Sequence, residues 1–402
     1  MSNMIIGIVG KPNVGKSTFF NAATDAHAEI ANYPFTTIEA NKGVMYVRKP
    51  CPCQDFKVTC TPHNSECKKG VRYVPIEAID VAGLVPDAFK GRGLGNKFLD
   101  DLRQAHALIH IVDASGSTDA EGNPCPIGSY DPLQDIDFLE KEITYWLKEI
   151  IKKSWENIAR KAQMEGKKIG HLLAEQLTGL GIREDHIFHA IRASGVDVDN
   201  PQKWSDEDLL KLSDDIRKQS KPMIIAYNKI DKASDELIGK QEDIKKRGYR
   251  VIPTSAESEL ALTHAAEHQF ILYHPGDKSF SLNEQKPLSD KQQQGIDYIK
   301  SKVIDRFGST GIQQCIEEAV SMLDLIVVYP VEDEHHLTDK EGRILPDAYF
   351  MKKGSTAKDL AYKVHSDIGD HFIRAINART KRVIGADYEL QDGDVISIIS
   401  DA

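Results

Sequence analysis

Short apolar runs separated by amphipathic stretches dominate the first two thirds of the chain. These runs occupy residues 5–9, 76–81, 107–112, 223–227 and 251–252; Glu77 and Asp80 interrupt the second, and His110 interrupts the third. Continuous apolar runs of this length, bounded by turn-forming residues, are typical of strands that are buried on both faces of a parallel sheet. Helix-compatible stretches between the runs favour crossover helices. The pattern therefore predicts an α/β fold with a doubly wound sheet.

A long helical stretch interrupts this alternation between the third and fourth apolar runs. A βαβ unit needs only about 30 residues, so far more chain is present than one crossover requires. Apolar residues recur with helical spacing over 139–169, and further helical stretches follow at 171–177, 183–193 and 206–219. We predict a helical, coiled-coil-like insertion over residues 133–220.

The pattern changes again near the C-terminus. Two helical stretches, 291–306 and 312–323, precede a mixed β pattern with one helix that is capped by Ser355 or Thr356. The strands are predicted at residues 325–329, 348–351, 372–376, 382–384 and 395–399. The turn Asp392-Gly393-Asp394 precedes the last strand.

These elements predict three structural parts. The α/β domain comprises residues 1–132, with a cysteine-containing insertion at 48–72, and resumes over 221–322 after the helical insertion. Residues 323–402 form a small C-terminal domain. At 402 residues and 41% apolar composition, the chain is long enough for more than one core.

A glycine-rich loop directly follows the first apolar run. Residues 10–17 read Gly-Lys-Pro-Asn-Val-Gly-Lys-Ser. Such a loop turns its N–H groups towards the β- and γ-phosphates of a nucleotide, while its lysine neutralises them and its hydroxyl ligates Mg²⁺. We therefore expect Lys16 to stabilise the reacting phosphate and Ser17 to bind the metal. The residues predicted to cradle the phosphates are Gly10, Lys11, Pro12, Asn13, Val14, Gly15, Lys16, Ser17 and Thr18.

Three further segments occur in the order that a G domain requires, which argues against a glycine turn without a ligand. Thr37, preferred to Thr36, is expected to complete the Mg²⁺ shell and sense the γ-phosphate; a proline-containing turn is the alternative. Asp80 is expected to hold Mg²⁺ through a water, and the Gly83 N–H to bond the γ-phosphate. Leu84 stands where Ras-like proteins carry a water-orienting glutamine, so intrinsic hydrolysis should be slow or use another group.

The last segment predicts recognition of guanine. Asn228-Lys229-Ile230-Asp231 follows the fourth apolar run, at the strand end where open α/β sheets bind ligands. The Asp231 carboxylate can accept hydrogen bonds from guanine N1–H and the N2 amine, a donor pair that adenine lacks. Lys229 is expected along the base plane, and Asn228 is expected to join this loop to the phosphate loop. After the fifth run, Ser255 and Ala256 are expected near guanine O6.

The chain resembles a known family. The phosphate loop, the segment 33–37, the run Asp80-Val81-Ala82-Gly83-Leu84-Val85 and the glycine-rich stretch 91–99 are similar to those of Obg-related GTPases, and most similar to the archaeal YchF-type branch. The resemblance extends over nearly the whole length and implies that the C-terminal part is a TGS domain, a ubiquitin-like β-grasp module. Many YchF-type members carry a glutamate in the base-reading motif and prefer ATP. Asp231 departs from them, so GTP is expected.

The resemblance also implies two catalytic hypotheses. Some GTPases with an apolar residue in place of the catalytic glutamine recruit K⁺ through an asparagine of the phosphate loop, and Asn13 occupies that position. A histidine beyond the second switch has been proposed to assist hydrolysis, and His110 aligns with it. Because His110 lies within a strand-like apolar run, a structural histidine of the core is the favoured alternative.

Charge and composition limit the partners. The formal net charge of −10 argues against bulk electrostatic binding to nucleic acid. We therefore expect no DNA partner, and any contact with ribosomes or structured RNA must be local. The helical insertion offers a local positive excess, with a solvated helix face as the alternative. No secretory signal or membrane-spanning run is apparent, and we expect a cytoplasmic protein without a membrane partner. The basic residues of the insertion are Lys148, Lys152, Lys153, Arg160, Lys161, Lys167 and Lys168.

A cysteine cluster forms a second candidate metal site. Cys51, Cys53, Cys60 and Cys67 lie in a short polar segment, with His63 among them. Four thiolates can hold Zn²⁺ tetrahedrally and stabilise a segment too small for its own core. The spacing differs from the paired C-x-x-C pattern of zinc ribbons, so free thiols or a disulfide remain alternatives to zinc.

Together these features predict a Mg²⁺-dependent switch protein that binds GTP and GDP, hydrolyses GTP and engages ribosomes or structured RNA. Two alternatives remain open. One is an ATP-preferring ATPase of the YchF type. The other is an RNA or protein adaptor in which the nucleotide orders the switches without useful turnover.

Overall fold

The structure of the protein is a computed structural model that describes residues 4–24, 41–83 and 95–401. The described residues divide into two compact units. The first unit, which we call the nucleotide unit, contains Ile5–Ala22 and Ile79–Cys315. The second, the C-terminal unit, combines residues within Ala23–Ala78 with Ile316–Ala402.

The strands and helices of the described residues are numbered along the chain. The strands are β1 (Ile5–Val9), β2 (Lys42–Pro50), β3 (Glu66–Lys68), β4 (Val71–Asp80), β5 (Ala107–Asp113), β6 (Met223–Asn228), β7 (Arg250–Pro253), β8 (Ile271–Leu272), β9 (Ser281–Leu282), β10 (Leu325–Val331), β11 (Tyr349–Lys352), β12 (Phe372–Asn377), β13 (Arg382–Ile384) and β14 (Val395–Ser400). The helices are α1 (Lys16–Thr24), α2 (Cys53–Phe56), α3 (Gly95–Gln104), α4 (Leu133–Glu165), α5 (Ile169–Leu177), α6 (Glu184–Ser194), α7 (Asp206–Ser220), α8 (Asp235–Gly239), α9 (Gln241–Lys246), α10 (Ala256–Glu267), α11 (Asp290–Ile299), α12 (Asp305–Phe307), α13 (Ile312–Ser321), α14 (Ala357–Val364) and α15 (Ser366–Asp370).

A parallel sheet forms the centre of the nucleotide unit. β1 pairs with β5, β5 with β6 and β6 with β7, all in parallel. Ile8 lies opposite Ile109, which lies opposite Ile224, and all three side chains are fully buried. Burial on both faces explains why these strands appear in the sequence as runs made mainly of apolar residues. The α/β fold class predicted from the sequence is confirmed, and the carboxyl ends of β1, β5 and β6 lie at one edge of the sheet.

Helices α4 to α7 form the predicted helical region of the nucleotide unit. α4 ends at Gly166, whose φ of 64° provides the left-handed termination that favours glycine. α4 packs against α5 and α7, and α6 packs against α7. The rings of Trp155 and Trp204 stack with centroids 4.8 Å apart, and each is 8% exposed. The domain boundaries at 132, 220 and 322 stay predictions.

A five-stranded β-grasp sheet is the main element of the C-terminal unit. Its order is β11-β10-β14-β12-β13, and the central pair β10 and β14 is parallel. α14 begins at a capping box in which the Thr356 hydroxyl and the Asp359 carboxylate bond each other's backbone N–H. Its buried residue Leu360 packs in one core with Ile326 and Ile396. The predicted strands are therefore confirmed, with small shifts at their ends.

Some short elements escaped the sequence analysis. The predicted helix at 291–306 consists of α11, a π-helical turn at Lys300–Ile304, and α12. The two-residue strands β8 and β9 form a small hairpin of their own. In the part of the chain that the structure describes, no helix combines the length and apolar character needed to cross a bilayer.

Candidate nucleotide site

The phosphate loop connects β1 to α1 in a conformation that only particular residues allow. A Cβ atom on Gly10 would lie 2.8 Å from the carbonyl oxygen of Ile111. Gly15 has a φ of +93°, and a Cβ atom there would lie 2.4 Å from Nδ2 of Asn228. Both positions therefore exclude a side chain, and the backbone can turn tightly into the first turn of α1. N–H groups at the start of a helix form a binding site for anionic groups.

Lys16 and Asp80 meet beside this loop. The ammonium group of Lys16, in the first turn of α1, donates a hydrogen bond to Oδ1 of Asp80, the last residue of β4. Both side chains are partly accessible, at 13% and 22% exposure. Ser17 is exposed in the same helical turn, with Thr18 next to it. Thus the predicted phosphate-binding lysine and two predicted metal-binding residues lie within one small region.

Of the predicted switch residues, Asp80 and Gly83 belong to the described part of the chain. Gly83 lies next to the phosphate loop, because a Cβ atom on it would be 3.8 Å from Cγ of Pro12. The N–H of Val81 donates to the carbonyl of Ile8 and extends the contact between the Asp80 strand and β1. Thr36, Thr37 and Leu84 lie outside the described residues.

The side chain of Lys11 is not directed to a phosphate. Its buried ammonium donates to Asp135 Oδ1 at 2.8 Å and to the Thr118 carbonyl at 3.0 Å, and lies 3.8 Å from the centre of the Tyr130 ring. Burial raises the pKa of Asp135 to about 6 although the Lys11 charge opposes it, so this carboxylate is ionised at neutral pH. Lys11 therefore ties the loop to the first turn of α4, and only its backbone N–H remains for a phosphate.

A single amide joins the phosphate loop to the predicted base-reading loop. Asn228, at the end of β6, donates from Nδ2 to the Val14 carbonyl at 2.9 Å. Its Oδ1 accepts the N–H of Ala256 at 3.1 Å. Asn228 is 2% exposed, so these bonds are shielded from water. From the sequence, the Ala256 N–H is expected to bond guanine O6. In the structure, this N–H donates to Asn228 Oδ1 instead.

Lys229 is anchored by a residue that the sequence analysis did not single out. Lys229 has a φ of 58°, and its ammonium donates to the Asn13 carbonyl at 2.8 Å and to Asp113 Oδ2 at 2.9 Å. Asp113 is 1% exposed at the end of β5. Burial alone raises the pKa of Asp113, but hydrogen bonds from Lys229 and Ser115 outweigh it and hold the pKa below its ordinary value. The position of Asp113 after a buried strand is the sequence feature that points to it.

Asp231 already accepts two hydroxyl hydrogen bonds. The Ser255 hydroxyl donates to Oδ1 at 2.9 Å, and the Tyr298 hydroxyl donates to Oδ2 at 3.1 Å. Tyr298 lies on α11 and is 42% exposed. No local pattern identifies Tyr298, because it is separated from Asp231 by 67 positions. Its contact follows from how α11 packs.

His110 lies in the middle of β5, between Val9 of β1 and Ile225 of β6. It is 1% exposed, and within the described parts of the chain its Nδ1 has no hydrogen-bond partner. Burial, reinforced by the positive charge of Lys11, lowers the pKa of His110 to about 3. The imidazole is therefore neutral at physiological pH and a weak proton acceptor, which favours the structural role over the catalytic one.

Comparison with known proteins identifies the family. Models of three families match the chain: "50S ribosome-binding GTPase" at residues 5–156, "Obg-like GTPase YGR210-like, G4 motif-containing domain" at 226–333, and "TGS domain" at 335–400. A protein of Methanocaldococcus jannaschii, named an uncharacterized GTP-binding protein, is 53% identical over 99% of both chains. The chain belongs to the Obg-like, YchF-type family of GTPases. The resemblance stated from the sequence is thus confirmed.

Further relatives cover the same length. The ribosome-binding ATPase YchF of Buchnera aphidicola subsp. Schizaphis graminum is 31% identical over 98% of each chain. A crystal structure of a GTP-binding protein from Pyrococcus horikoshii is 44% identical, with a TM-score of 0.76 over 99% of this chain and 100% of that one. The YchF GTPase of Schizosaccharomyces pombe, at 20% identity and a TM-score of 0.58, shows the shared fold. This YchF-type GTPase therefore combines a P-loop G domain with a C-terminal TGS domain.

The conformation of Gly15 generates the first prediction. In Gly15→Ala the new methyl group meets Asn228, and the positive φ adds strain of about 1–3 kcal/mol. We expect affinity for a fluorescent GTP analogue to fall about tenfold or more, measured by equilibrium titration. Gly239→Ala in α8 is the matched control, because the added Cβ meets no heavy atom of the described residues within 4 Å beyond its chain neighbours and its own helix backbone. Equal affinity of Gly15→Ala and the wild type contradicts the loop geometry.

Proposed function

We propose that this YchF-type protein is a Mg²⁺-dependent, GTP-hydrolysing switch that engages ribosomes or structured RNA in the cytoplasm. The observation that carries the proposal is the Asn228 amide, which bonds the phosphate loop through Val14 and the Ser255–Ala256 loop through the Ala256 N–H. This connection holds the predicted phosphate and base sites in one rigid arrangement. A nucleoside triphosphate is the ligand that suits both sites.

Guanine selectivity is assigned to Asp231. Its two carboxylate oxygens accept hydrogen bonds from two separate donors, the hydroxyls of Ser255 and Tyr298. Guanine offers a comparable donor pair, N1–H and the N2 amine, on one edge, whereas adenine offers no such pair. A site built to bind guanine through this donor pair rejects a base that lacks the pair. We therefore favour GTP over the ATP implied by the printed names of several YchF relatives.

Hydrolysis requires water to attack the γ-phosphorus while the bond to the β–γ bridging oxygen breaks and GDP leaves with the electron pair. Lys16 and the N–H groups of residues 10–17 stabilise the negative charge that develops on the phosphate oxygens. The Ser17 hydroxyl and the Asp80 carboxylate are oxygen ligands of the type that Mg²⁺ prefers, and the structure brings them to one region. When held by these residues, Mg²⁺ would neutralise negative charge on the β- and γ-phosphates. Thr37 is proposed as the further ligand from the sequence alone.

The glutamine that orients the attacking water in Ras-like proteins is replaced by Leu84 in this chain. With Leu84 in the glutamine position and the pKa of His110 lowered by burial, neither residue suits this role, so we propose a slow intrinsic rate. Asn13 Nδ2 donates to the Gly122 carbonyl at 2.8 Å, which directs Oδ1 of the same amide to the opposite side. This orientation supports Asn13 as the K⁺ ligand beside the phosphates.

The basic end of α4 is the proposed RNA contact. Lys148 and Lys152 both bond Asp206, whose single negative charge offsets one of their two positive charges. Exposed basic residues remain around the turn between α4 and α5: Arg160, Lys161, Lys167 and Lys168. Lys167 contacts Glu165 at 2.8 Å, so the local excess is smaller than the sequence alone indicates. A ribosomal partner is supported by the family description "50S ribosome-binding GTPase" and by the names of the YchF relatives.

Nucleotide preference is tested by Asp231→Asn. The substitution removes the charge and one acceptor, and hydrogen bonds to charged groups contribute about 1.5–3 kcal/mol each. We expect GTP affinity to fall about 100-fold relative to ATP affinity, measured by competition against one fluorescent nucleotide. Asp235→Asn, whose side chain is 93% exposed in α8, should leave the preference unchanged. Tighter binding of ATP than GTP by the wild type supports the ATPase alternative and contradicts the proposal.

The potassium hypothesis has a simple kinetic test. GTP hydrolysis should be faster in KCl than in NaCl at equal ionic strength, and the difference should disappear in Asn13→Gly. Glycine is the appropriate substitution because Asn13 has a φ of 64°, which glycine adopts without strain. Equal wild-type rates in the two salts would remove K⁺ from the mechanism.

The RNA contact is tested with ribosomal subunits. We expect single-turnover GTP hydrolysis to be stimulated by subunits, and the doubly substituted Lys161→Gln, Lys168→Gln protein to bind them more weakly. For each phosphate contact that is lost, the slope of log affinity against log salt concentration should become smaller in magnitude by about 1. Lys245→Gln, Lys246→Gln in α9 removes the same charge elsewhere and serves as the control. Absence of stimulation with every subunit preparation supports the adaptor alternative.

A further inference from the structure

The cysteines of the C-terminal unit converge on one point. Cys51 Sγ is 3.9 Å from Cys60 Sγ, Cys53 Sγ is 3.9 Å from Cys67 Sγ, and all four sulfur atoms lie within 4.8 Å of one another. Zinc–sulfur bonds of about 2.3 Å in a tetrahedron place the sulfurs about 3.8 Å apart. His63 does not join the cluster; its Nδ1 lies 3.4 Å from Asp347. The sulfur geometry is that of a four-thiolate site.

The backbone of this segment, residues 50–70, which we call the cysteine arm, is shaped to produce the cluster. The Cys51 N–H donates to the Gly70 carbonyl at 2.9 Å and closes the base of the arm. α2 ends at Lys57, which has a φ of 54°, and Val58 N–H then bonds the Cys53 carbonyl at 3.0 Å. The arm therefore folds back on itself and brings residues from four separate positions together.

A buried positive charge lies beside the cluster. Arg72 is fully buried and is the cross-strand partner of Cys67 in the β3–β4 pair, so their side chains share one face of the ribbon. Its Nη2 donates to the Leu345 carbonyl at 2.5 Å and the Pro346 carbonyl at 3.3 Å. Nε and Nη1 have no hydrogen-bond partner among the described residues. An unpaired buried charge is strongly destabilising, so this guanidinium requires an anion.

Metal binding supplies that anion, whereas disulfide formation does not. Four thiolates around one Zn²⁺ carry a net charge of −2. Two disulfides are neutral and leave Arg72 without a counter-charge. All four cysteines are free thiols in the structure, and their 3.9 Å sulfur separations exceed the roughly 2.05 Å of a disulfide.

We propose that Cys51, Cys53, Cys60 and Cys67 bind one structural Zn²⁺ ion whose negative tetrathiolate shell is balanced by Arg72. The four-ligand shell is closed, so the ion has no open position for catalysis. Its role is to hold the cysteine arm in a fixed shape, since the arm is too short to form a core of its own.

The arm in turn holds the β-grasp domain. Thr61 N–H donates to the Ile344 carbonyl at 2.9 Å, and the Ile344 N–H donates to the Thr61 hydroxyl at 2.7 Å. Asn64 exchanges a second pair of bonds with the backbone of Ala348, at 3.1 and 3.0 Å. Cys51 and Cys53 also pack in one apolar cluster with Tyr329 of β10. Zinc therefore stabilises the surface on which the segment 344–348 of the TGS domain rests.

Metal analysis of the full-length protein tests the site. Protein purified under reducing conditions should retain one Zn²⁺ per chain by mass spectrometry after dialysis, and Cys60→Ser, Cys67→Ser should lose it. Cys125→Ser, a free cysteine of the nucleotide unit, should keep the metal. Replacement by Co²⁺ should give the visible bands of a tetrahedral thiolate site, a readout that needs no variant. A chain that stays metal-free after zinc addition, or that holds iron instead, overturns the proposal.

The counter-charge is tested with Arg72→Met. Loss of a group that supports a metal shell weakens affinity about 10–100-fold, measured by competition with a chromophoric chelator. Arg48→Met on β2, which removes a cation paired with Glu317 at 2.7 Å, is the matched control and should bind zinc normally. Unchanged zinc affinity in Arg72→Met rejects the role of Arg72.

The contact between the cysteine arm and residues 344–348 is tested by hydrogen exchange. Chelation of the wild type should speed exchange of the Thr61, Ile344 and Ala348 amides, which the arm and the TGS domain bond in common. Exchange in β6 and GTP binding should be unchanged, because these belong to the nucleotide unit. Identical protection of the three amides with and without zinc contradicts the claim that zinc stabilises this contact. Loss of GTP binding alone concerns the proposed function and leaves the zinc site intact.

Discussion

The buried amide of Asn228 is the contact on which the nucleotide unit depends. It bonds the Val14 carbonyl with Nδ2 and receives the Ala256 N–H with Oδ1, so three loops at the edge of the sheet are held by one side chain. Gly15 is necessary for the same reason, since any side chain there would occupy the space of the amide. Because the bonds are shielded from water, losing either one leaves an unsatisfied polar group. The separation between the predicted phosphate and base sites is therefore set by the packing of the folded chain.

Charges near the phosphate loop are arranged in pairs that serve different purposes. Lys11 and Asp135 are both nearly inaccessible, so their ion pair fixes the loop to α4 as a structural contact. Lys16 and Asp80 retain accessible surface, and a phosphate or a metal ion can exchange with either partner. Arg72 in the C-terminal unit is the contrasting case, because it is buried and its Nε and Nη1 have no hydrogen-bond partner in the ranges that the structure describes. The proposed zinc tetrathiolate would place a negative charge beside this buried guanidinium.

Much of the fold and part of the site could be predicted because the information is local. Parallel strands buried on both faces appear as apolar runs, and β13 was predicted to the residue. The phosphate loop and the Asn228–Asp231 motif are recognisable because their chemistry resides in consecutive residues. His110 is predicted as a core residue for the same reason, since residues 107–109 and 111–112 on either side of it are apolar. The helix predicted at 291–306 was less accurate, because no local pattern distinguishes an α-helix from the π-helical turn at Lys300–Ile304.

The sequence by itself determined the fold class, the kind of ligand and the four cysteines as metal-ligand candidates. Only the tertiary structure decided how individual side chains are used. It paired Lys11 with Asp135, directed Tyr298 to Asp231, joined Lys229 to Asp113 and placed Arg72 beside Cys67. Most of these contacts join positions far apart in the chain, and several residues of each charge are available for every pair. Which of them meet depends on how helices and strands pack, and that packing has no signature in any short stretch of residues.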